Sequence, residues 1–160
     1  MQRQVLTRQA SALDAWARLL RGHAAATREL SALLVAEHGL TINDYEALLC
    51  LSRADTGRMR RVDLAEELLL TASGVTRLLE GLERAGFVER AECASDRRVT
   101  YAVLTEAGRE KLEEASEAHI EAVRALFEER FTPEEIEQLT QLLARLPEAA
   151  EASGSDCSAS

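Results

Sequence analysis

Apolar residues recur at near-helical spacing near the start of the chain. Leu13, Trp16 and Leu20 are followed by Leu30 at intervals that fit one helix over residues 10–38. Such a helix would be about 44 Å long at a rise of roughly 1.5 Å per residue. Since this length exceeds what a small core covers, we expect part of the helix to pack against a second subunit.

Three shorter helices are predicted in the next part of the chain. The second helix follows Thr41, a good N-cap residue, and ends before the turn residues 55–57. Residues 63–69 form a short third helix, and a fourth begins after Thr71. The fourth helix has apolar residues at positions i, i+3, i+4 and i+7, which define its inner face: Val75, Leu78, Leu79 and Leu82.

A two-stranded β-hairpin is predicted after the fourth helix. Residues 87–91 can form one strand and residues 99–104 the other. In the second strand, Val99, Tyr101 and Val103 alternate with their neighbours at the period of two that is typical of a strand. The polar stretch between the strands forms a long tip.

Two more helices are predicted toward the C-terminus. Thr105 caps a long helix. Thr132 and Pro133 then mark the N-cap and the first turn of a last helix, which runs to about Leu146. Residues 153–160 are small and polar, and we expect them to be disordered.

This order of elements predicts a mainly α fold with a small β-hairpin. A helix-turn-helix followed directly by a hairpin is the winged arrangement, in which the second helix of the motif enters the major groove of DNA. The hairpin can reach the flanking minor groove. Residues 41–104 would form this DNA-binding lobe, and residues 10–38 and 105–148 would form a helical dimerisation region.

The outward face of the fourth helix carries side chains suited to DNA. With the apolar stripe inside, Ser73, Thr76 and Arg77 point outward. Hydroxyls can donate to phosphates or base edges, and arginine can make a bidentate contact to guanine. The alternative interpretation is an ordinary solvated helix face, and the flanking hairpin favours DNA binding.

The predicted hairpin tip contains Asp96, Arg97 and Arg98. An arginine is drawn into a narrow minor groove by its negative potential. A neighbouring carboxylate can hold that long side chain in position beforehand. An Asp-Arg-Arg sequence in a loop is otherwise a charged turn, and its place at the tip favours a contact to DNA.

The net charge of −9 opposes DNA binding at first sight, because affinity for DNA depends heavily on Lys and Arg at phosphates. The distribution of the charge removes this objection. Residues 57–109 contain nine arginines and nine acidic residues, whereas residues 110–151 contain four basic and twelve acidic residues. The acidic excess belongs to the C-terminal helices, which can face away from DNA.

Several other classes of protein are disfavoured. Cys50, Cys93 and Cys157 form no Cys-x-x-Cys pair and the three histidines are scattered, so neither a zinc site nor a disulfide framework is predicted. No apolar run approaches the roughly 20 residues of a membrane span, and no signal peptide is recognisable. No catalytic constellation stands out. We expect a cytoplasmic protein that is not an enzyme and uses no metal or cofactor.

Several motifs resemble those of the MarR family of bacterial winged helix-turn-helix transcription regulators. They are the whole fourth-helix segment from Ser73 to Gly86, then Val88-Glu-Arg90, Asp96-Arg-Arg98, Val103-Leu-Thr105 and Gly108. The resemblance implies a homodimer that binds palindromic DNA and represses a nearby operon until a small, often aromatic acid binds.

The resemblance also implies a role for each surface. The outward face of the fourth helix would read the major groove. Arg98 would enter the minor groove, Asp96 would orient it, and Arg97 would meet a phosphate.

Candidate effector-binding residues lie mainly on the first helix. Trp16 and His23 share a face, and Arg21 is close to them; a carboxylate ligand would favour Arg or His beside an aromatic wall. Asp63, at the start of the third helix, is a further candidate. Each has a structural alternative: Trp16 as a core or dimer anchor, His23 as an interfacial hydrogen-bonding group, and Asp63 as a helix cap.

Two other functions remain open at this point. A thiol-sensing repressor would use Cys93 at the base of the hairpin, although no flanking cluster clearly lowers its pKa. Cys50, on the inner part of the second helix, is expected in the core. A protein-interaction module is the second alternative, since winged helices also serve in complexes without DNA. Such a module would not need an outward arginine face beside a basic wing tip.

Overall fold

The computed structural model describes residues 11–93, 95, 96 and 98–147. Its elements in chain order are α1 (Ala12–His38), α2 (Ile42–Arg53), β1 (Arg58–Arg60), α3 (Arg61–Glu67), α4 (Ala72–Arg84), β2 (Val88–Glu92), β3 (Thr100–Leu104), α5 (Glu106–Glu128) and α6 (Pro133–Leu143). The predicted order is confirmed, with one strand added. Arg97 and the predicted tail, residues 153–160, lie outside the described residues.

Capping boxes fix the starts of α1, α2 and α6. In each, a Ser or Thr side chain accepts a hydrogen bond from the third backbone N–H of the helix, and the acidic residue there accepts one from the cap. At α2, the Thr41 backbone N–H donates to Asp44 at 2.8 Å. Because these signals are local, the predicted starts of α2 and α6 are confirmed.

The boundaries of α3 differ from the prediction. The helix begins at Arg61 rather than Asp63, immediately after β1, and ends at Glu67. Leu69 follows with φ at 52°, in the left-handed region. Leu68 is the C-cap of α3, and the left-handed conformation of Leu69 keeps the chain from continuing as a right-handed helix.

The β-sheet has three strands rather than the predicted two. β1 (Arg58–Arg60) pairs antiparallel with β3, which lies in the middle and also pairs with β2. Met59 lies opposite Ala102, and Val88 lies opposite Leu104. The sequence did not reveal β1, because its three residues, Arg-Met-Arg, are too few to show an apolar alternation and its pairing depends on a strand distant in the sequence.

The hydrophobic core lies where α2, α3 and α4 pack on the sheet and on the start of α5. Leu48, Leu51 and Leu64 are fully enclosed. α5 approaches the sheet closely at Gly108, where an added Cβ would collide with the Phe87 carbonyl oxygen. This backbone contact requires glycine in the first turn of α5 and seats that helix on the lobe.

The N-terminal half of α1 and all of α6 lie outside this core. Leu13 and Trp16 on α1 are 78% and 58% exposed. α6 has no buried residue and ends at Leu143 rather than near the predicted Leu146. These two helices therefore leave apolar side chains in solvent when one chain stands alone.

Candidate nucleic-acid interface

α4 is the second helix of the helix-turn-helix, and its inner face is the predicted one. Val75, Leu79 and Leu82 are buried. The N-cap Thr71 accepts a hydrogen bond from the Gly74 backbone N–H at 3.1 Å. A Cβ at Gly74 would lie 3.2 Å from the Thr71 hydroxyl oxygen, so packing against the cap accounts for this glycine. The opposite face of α4 points to solvent.

The three residues predicted to contact DNA differ in their exposure and in whether their hydrogen-bond donors are already used. Ser73 and Arg77 are exposed, whereas Thr76 is half-buried. The Thr76 hydroxyl donates to the Ala72 carbonyl oxygen at 2.7 Å, so its proton is already used within α4. Arg77 has no ion-pair partner among the described residues. Its guanidinium donors are therefore available to a base edge or a phosphate.

The hairpin formed by β2 and β3 is the wing, and its tip is held by short-range hydrogen bonds. The Arg98 backbone N–H donates to the Asp96 carboxylate at 2.9 Å, and the Val99 backbone N–H donates to the Asp96 carbonyl oxygen at 3.0 Å. The carboxylate thus acts on the main chain of Arg98, whereas the guanidinium was the expected contact. Arg98 is exposed, and no described residue forms an ion pair with it.

Asp63, a candidate for effector binding or helix capping, pairs with an arginine. Its carboxylate accepts hydrogen bonds from Arg60 Nε at 2.7 Å and Arg60 Nη2 at 2.8 Å. These bonds raise the pKa of Arg60. α3 has no side-chain cap, since Arg60 occupies its N-cap position. Asp63 therefore ties the end of β1 to α3, and the capping alternative is wrong.

A cavity of about 290 Å³ lies between the C-terminal half of α1 and the middle of α5. His38 and His119 line it, and within the described structure the buried Nε2 of His38 and Nδ1 of His119 have no hydrogen-bond partner. The His119 ring packs 4.5 Å from that of Tyr45, and burial lowers the pKa of His119. Most of the remaining wall is apolar, with two carboxylates: Leu30, Leu33, Leu34, Ala118, Ala122, Ala125, Glu37 and Glu121.

The predicted effector residues of α1 lie elsewhere. Trp16, Arg21 and His23 are exposed, and none of them lines this cavity. His23 acts electrostatically on Glu46 of α2: burial raises the pKa of Glu46, and the charge of His23 partly offsets the rise. The cavity residues were missed because they come from two helices distant in sequence; the available signal was a histidine, His119, on the inward stripe of α5.

Cys93 lies at the base of the wing and is partly exposed. Its Sγ is 3.1 Å from the Ser95 hydroxyl oxygen. This hydrogen bond lowers the pKa of the Cys93 thiol, with smaller contributions from backbone groups of Ser95 and Asp96. The sequence pattern shows no flanking cluster that lowers this pKa; the cause in the structure is a single neighbouring hydroxyl, that of Ser95.

The described part of the chain shows neither a metal site nor a membrane-spanning helix. No three His, Cys, Asp or Glu side chains within it are grouped so as to hold a metal ion. None of its helices is long and apolar enough to cross a membrane.

A helix-turn-helix with an exposed arginine on its second helix, followed by a wing with an exposed arginine at its tip, defines a winged-helix DNA-binding protein. The MarR family model matches residues 38–99, from the end of α1 to the wing. AbsC, a MarR family transcriptional regulator from Streptomyces coelicolor, is 34% identical; the match covers 86% of this chain and 93% of AbsC, with a TM-score of 0.73. The chain belongs to the MarR family.

Two further relatives agree with this assignment. Sco3205, a MarR family regulator from Streptomyces coelicolor solved in complex with DNA, is 28% identical over 93% of this chain and 94% of its own, with a TM-score of 0.77. The transcriptional repressor YetL of Bacillus subtilis is 31% identical over 111 residues, which are 69% of this chain and 66% of YetL. The predicted winged fold, family and non-enzymatic, DNA-binding class are confirmed.

Proposed function

We propose that this chain is a homodimeric repressor that binds palindromic double-stranded DNA and releases it when a small effector binds. The observation that carries the proposal is a pair of exposed arginines, Arg77 on α4 and Arg98 on the wing. Arg77 would contact guanine in the major groove beside Ser73 and Thr76, and Arg98 would enter the minor groove. Binding to chromosomal DNA would place the protein in the cytoplasm.

Exposed apolar side chains on the outer helices support the homodimer. Leu13 and Trp16 on α1, Ile120 on α5 and Leu142 on α6 are all exposed in the single chain. Large apolar side chains gathered on such surfaces favour burial against another subunit. A two-fold dimer presents two α4 helices, and half-sites roughly 34 Å apart on DNA match that symmetry.

The DNA-binding proposal is tested with DNA from the region upstream of the chain's own gene. Arg77→Ala and Arg98→Ala should each weaken binding by roughly ten- to a hundredfold, since a good arginine contact is worth about 1–3 kcal/mol. Arg53→Ala, at the exposed end of α2, is the matched control and should bind like wild type. Circular dichroism and light scattering would establish that each variant is folded and has the wild-type mass.

Unchanged binding by both arginine variants would contradict the assigned contacts. Failure of the wild-type chain to bind any palindromic DNA would favour the protein-interaction alternative. Repression rather than activation, which the likeness to YetL supports, is tested by a reporter gene behind the bound DNA. Its expression should rise when the regulator is deleted.

The cavity between α1 and α5 supports the effector part of the proposal. A small aromatic ring fits its apolar wall, and a polar substituent can reach two buried nitrogens that have no hydrogen-bond partner among the described residues, Nε2 of His38 and Nδ1 of His119. The His38 nitrogen also lies 3.9 Å from the Glu37 carboxylate. Small aromatic acids and their neutral amides would be screened for a rise in melting temperature. His119→Asn should abolish the rise, whereas His23→Asn should keep it. A ligand whose effect depends on His23 and not on His119 would instead place the site on α1 near Trp16, Arg21 and His23.

Cys93 is partly exposed, and its contact with the Ser95 hydroxyl at 3.1 Å lowers the pKa of the thiol. These features favour one alternative, a repressor that senses oxidants. A lower thiol pKa increases the reactive thiolate fraction at neutral pH. Peroxide should then release DNA from the wild-type protein but not from Cys93→Ser, while Cys50→Ser should respond like wild type. Continued DNA binding by the oxidised wild-type protein would eliminate this alternative.

A further inference from the structure

A basic groove of about 240 Å³ lies between the end of β1, the start of α3 and the wing. We call it the wing-base groove, and it is lined by Arg60, Arg61, Val62, Arg98, Val99 and Thr100. None of these residues is acidic, although the lobe as a whole is close to neutral. The groove therefore concentrates positive charge at one place beside the wing.

The arginines of the wing-base groove are not equally available. Arg60 is held by two hydrogen bonds to the Asp63 carboxylate. Arg61 is half-buried and Arg98 is exposed, and neither forms an ion pair with any described residue. Two unpaired cations lining one groove repel each other, and an anionic oxygen placed between them would turn that repulsion into attraction.

We propose that the wing-base groove holds a phosphate of the DNA backbone and that Arg61 is its principal contact. This inference rests on the proposed function. Arg98 belongs both to the groove and to the wing, so its entry into the minor groove brings the wing-base groove to the strand that borders it. Backbone phosphates lie along that edge. The planar guanidinium of Arg61 matches two phosphate oxygens, and the Thr100 hydroxyl is a further donor in the wall.

A phosphate contact at this point would set the position of the wing on DNA without reading sequence. Phosphate contacts fix the register of a protein on the duplex, whereas base contacts specify the sequence. Arg61 is thus assigned a positioning role that differs from that of Arg77. The two roles make different predictions for salt dependence and base preference.

The test compares Arg61→Gln, Arg61→Lys and the control Arg53→Gln on DNA selected by the wild-type protein. Arg61→Gln should weaken binding about tenfold and reduce the slope of log affinity against log salt by about one, with the base preference unchanged. Arg61→Lys keeps the charge and should keep the slope, with a smaller loss of affinity. Arg53→Gln should match wild type in both.

A second measurement locates the phosphate by comparing the wild-type protein with Arg61→Gln. Neutral methylphosphonate linkages are placed one at a time along the strand edge that borders the wing's minor groove. One position should weaken wild-type binding but leave Arg61→Gln binding unchanged, because the contact is already lost. If Arg61→Gln is poorly folded, the wild-type profile still tests the inference, because a profile with no weakened position along this edge would mean that no phosphate is contacted there.

Three results would overturn the inference. The first is an unchanged salt slope in Arg61→Gln, and the second is an altered base preference, which would mean that Arg61 reads a base. The third is a methylphosphonate effect equal in both proteins at every position. Absence of DNA binding by the wild-type protein would instead overturn the proposed function.

Discussion

The DNA-binding lobe and the helices that flank it differ in how completely one chain can fold them. Within residues 41–104, Leu48 and Leu64 are fully enclosed by their own chain. On the flanking helices, Leu13 and Leu142 remain exposed, and α6 has no buried residue. One chain encloses the core of the lobe, with help from Leu34 of α1 and Leu112 of α5, whereas the outer parts of the flanking helices leave apolar side chains unburied.

The two regions also differ in charge. Residues 57–109 balance nine arginines against nine acids, while residues 110–151 carry twelve acids against four basic residues. Acidic side chains are repelled by DNA phosphates, so this distribution favours an orientation with the lobe on DNA and the outer helices away from it. Since the fully buried leucines lie in the lobe and the exposed apolar residues lie on the outer helices, stability should depend mainly on the lobe and assembly mainly on the outer helices.

The largest expected effect comes from a matched pair of leucine truncations. Leu48→Ala removes a side chain with 0% exposure and should lower the free energy of unfolding by about 2–5 kcal/mol. Leu142→Ala removes one that is 55% exposed and should cost far less. Urea unfolding at two protein concentrations measures both.

The concentration dependence separates the two regions. The Leu48→Ala loss should be similar at both concentrations, because it acts within the lobe. The Leu142→Ala loss should appear mainly as weaker association and thus depend on concentration. Equal losses for the two variants would contradict the distinction between a lobe whose core is enclosed within one chain and outer helices whose apolar side chains remain exposed.

The next effect concerns assembly. Trp16 is exposed on α1, and Trp16→Ala should weaken dimerisation by about thirtyfold, which corresponds to roughly 2 kcal/mol for an interface anchor. Sedimentation analysis measures the dimer, and circular dichroism should show that the lobe stays folded. Arg21→Ala on the same helix is the control. An unchanged dimer in Trp16→Ala would move the interface away from this part of α1.

Local signals made most of the fold predictable. The cap residues Thr41 and Thr132 locate helix starts, and the apolar spacing from Val75 to Leu82 defines the inner face of α4. β1 was not predictable, because Arg58–Arg60 becomes a strand only through pairing with β3. Because β1 was not predicted, the wing-base groove, one wall of which is the end of β1, was not predicted either.

The exposed residues of the candidate DNA interface could be predicted from the sequence, but their hydrogen bonds could not. The exposure of Arg77 follows from helical periodicity, and that of Arg98 from its place at the polar tip of the hairpin. The hydroxyl of Thr76 is bound within its own helix, and Asp96 binds a backbone N–H rather than a guanidinium. Such choices depend on local geometry that a residue pattern does not contain. The cavity proposed for the effector lies between α1 and α5, so candidates taken mainly from α1 did not reach it.

A smaller effect is expected in the turn before α4. Leu69 is 89% exposed and has φ at 52°, a conformation that costs roughly 1 kcal/mol for a side chain with a Cβ. Leu69→Gly should raise the free energy of unfolding by about 0.5–1 kcal/mol, since little burial is lost. The neighbouring Leu70→Gly should lower it, because Leu70 is half-buried and does not have a positive φ. Thermal unfolding of both variants checks the signs; destabilisation by Leu69→Gly would mean that its exposed side chain has a partner in the dimer.

The smallest effect tests the junction between the lobe and the outer helices, where His119 of α5 packs on Tyr45 of α2. Burial lowers the pKa of His119 from 6.5, so the folded chain binds this proton less readily than the unfolded chain. The free energy of unfolding should therefore fall as pH drops through about 6.5, level off below the folded-state pKa, and show no such slope at higher pH. Urea unfolding between about pH 7.5 and about pH 5.5 should show a shallower slope for His119→Asn than for wild type, while the exposed His23→Asn serves as the control. A slope that His119→Asn leaves unchanged would mean that the junction is open to solvent, and that the two regions are less firmly joined than the packing of His119 on Tyr45 indicates.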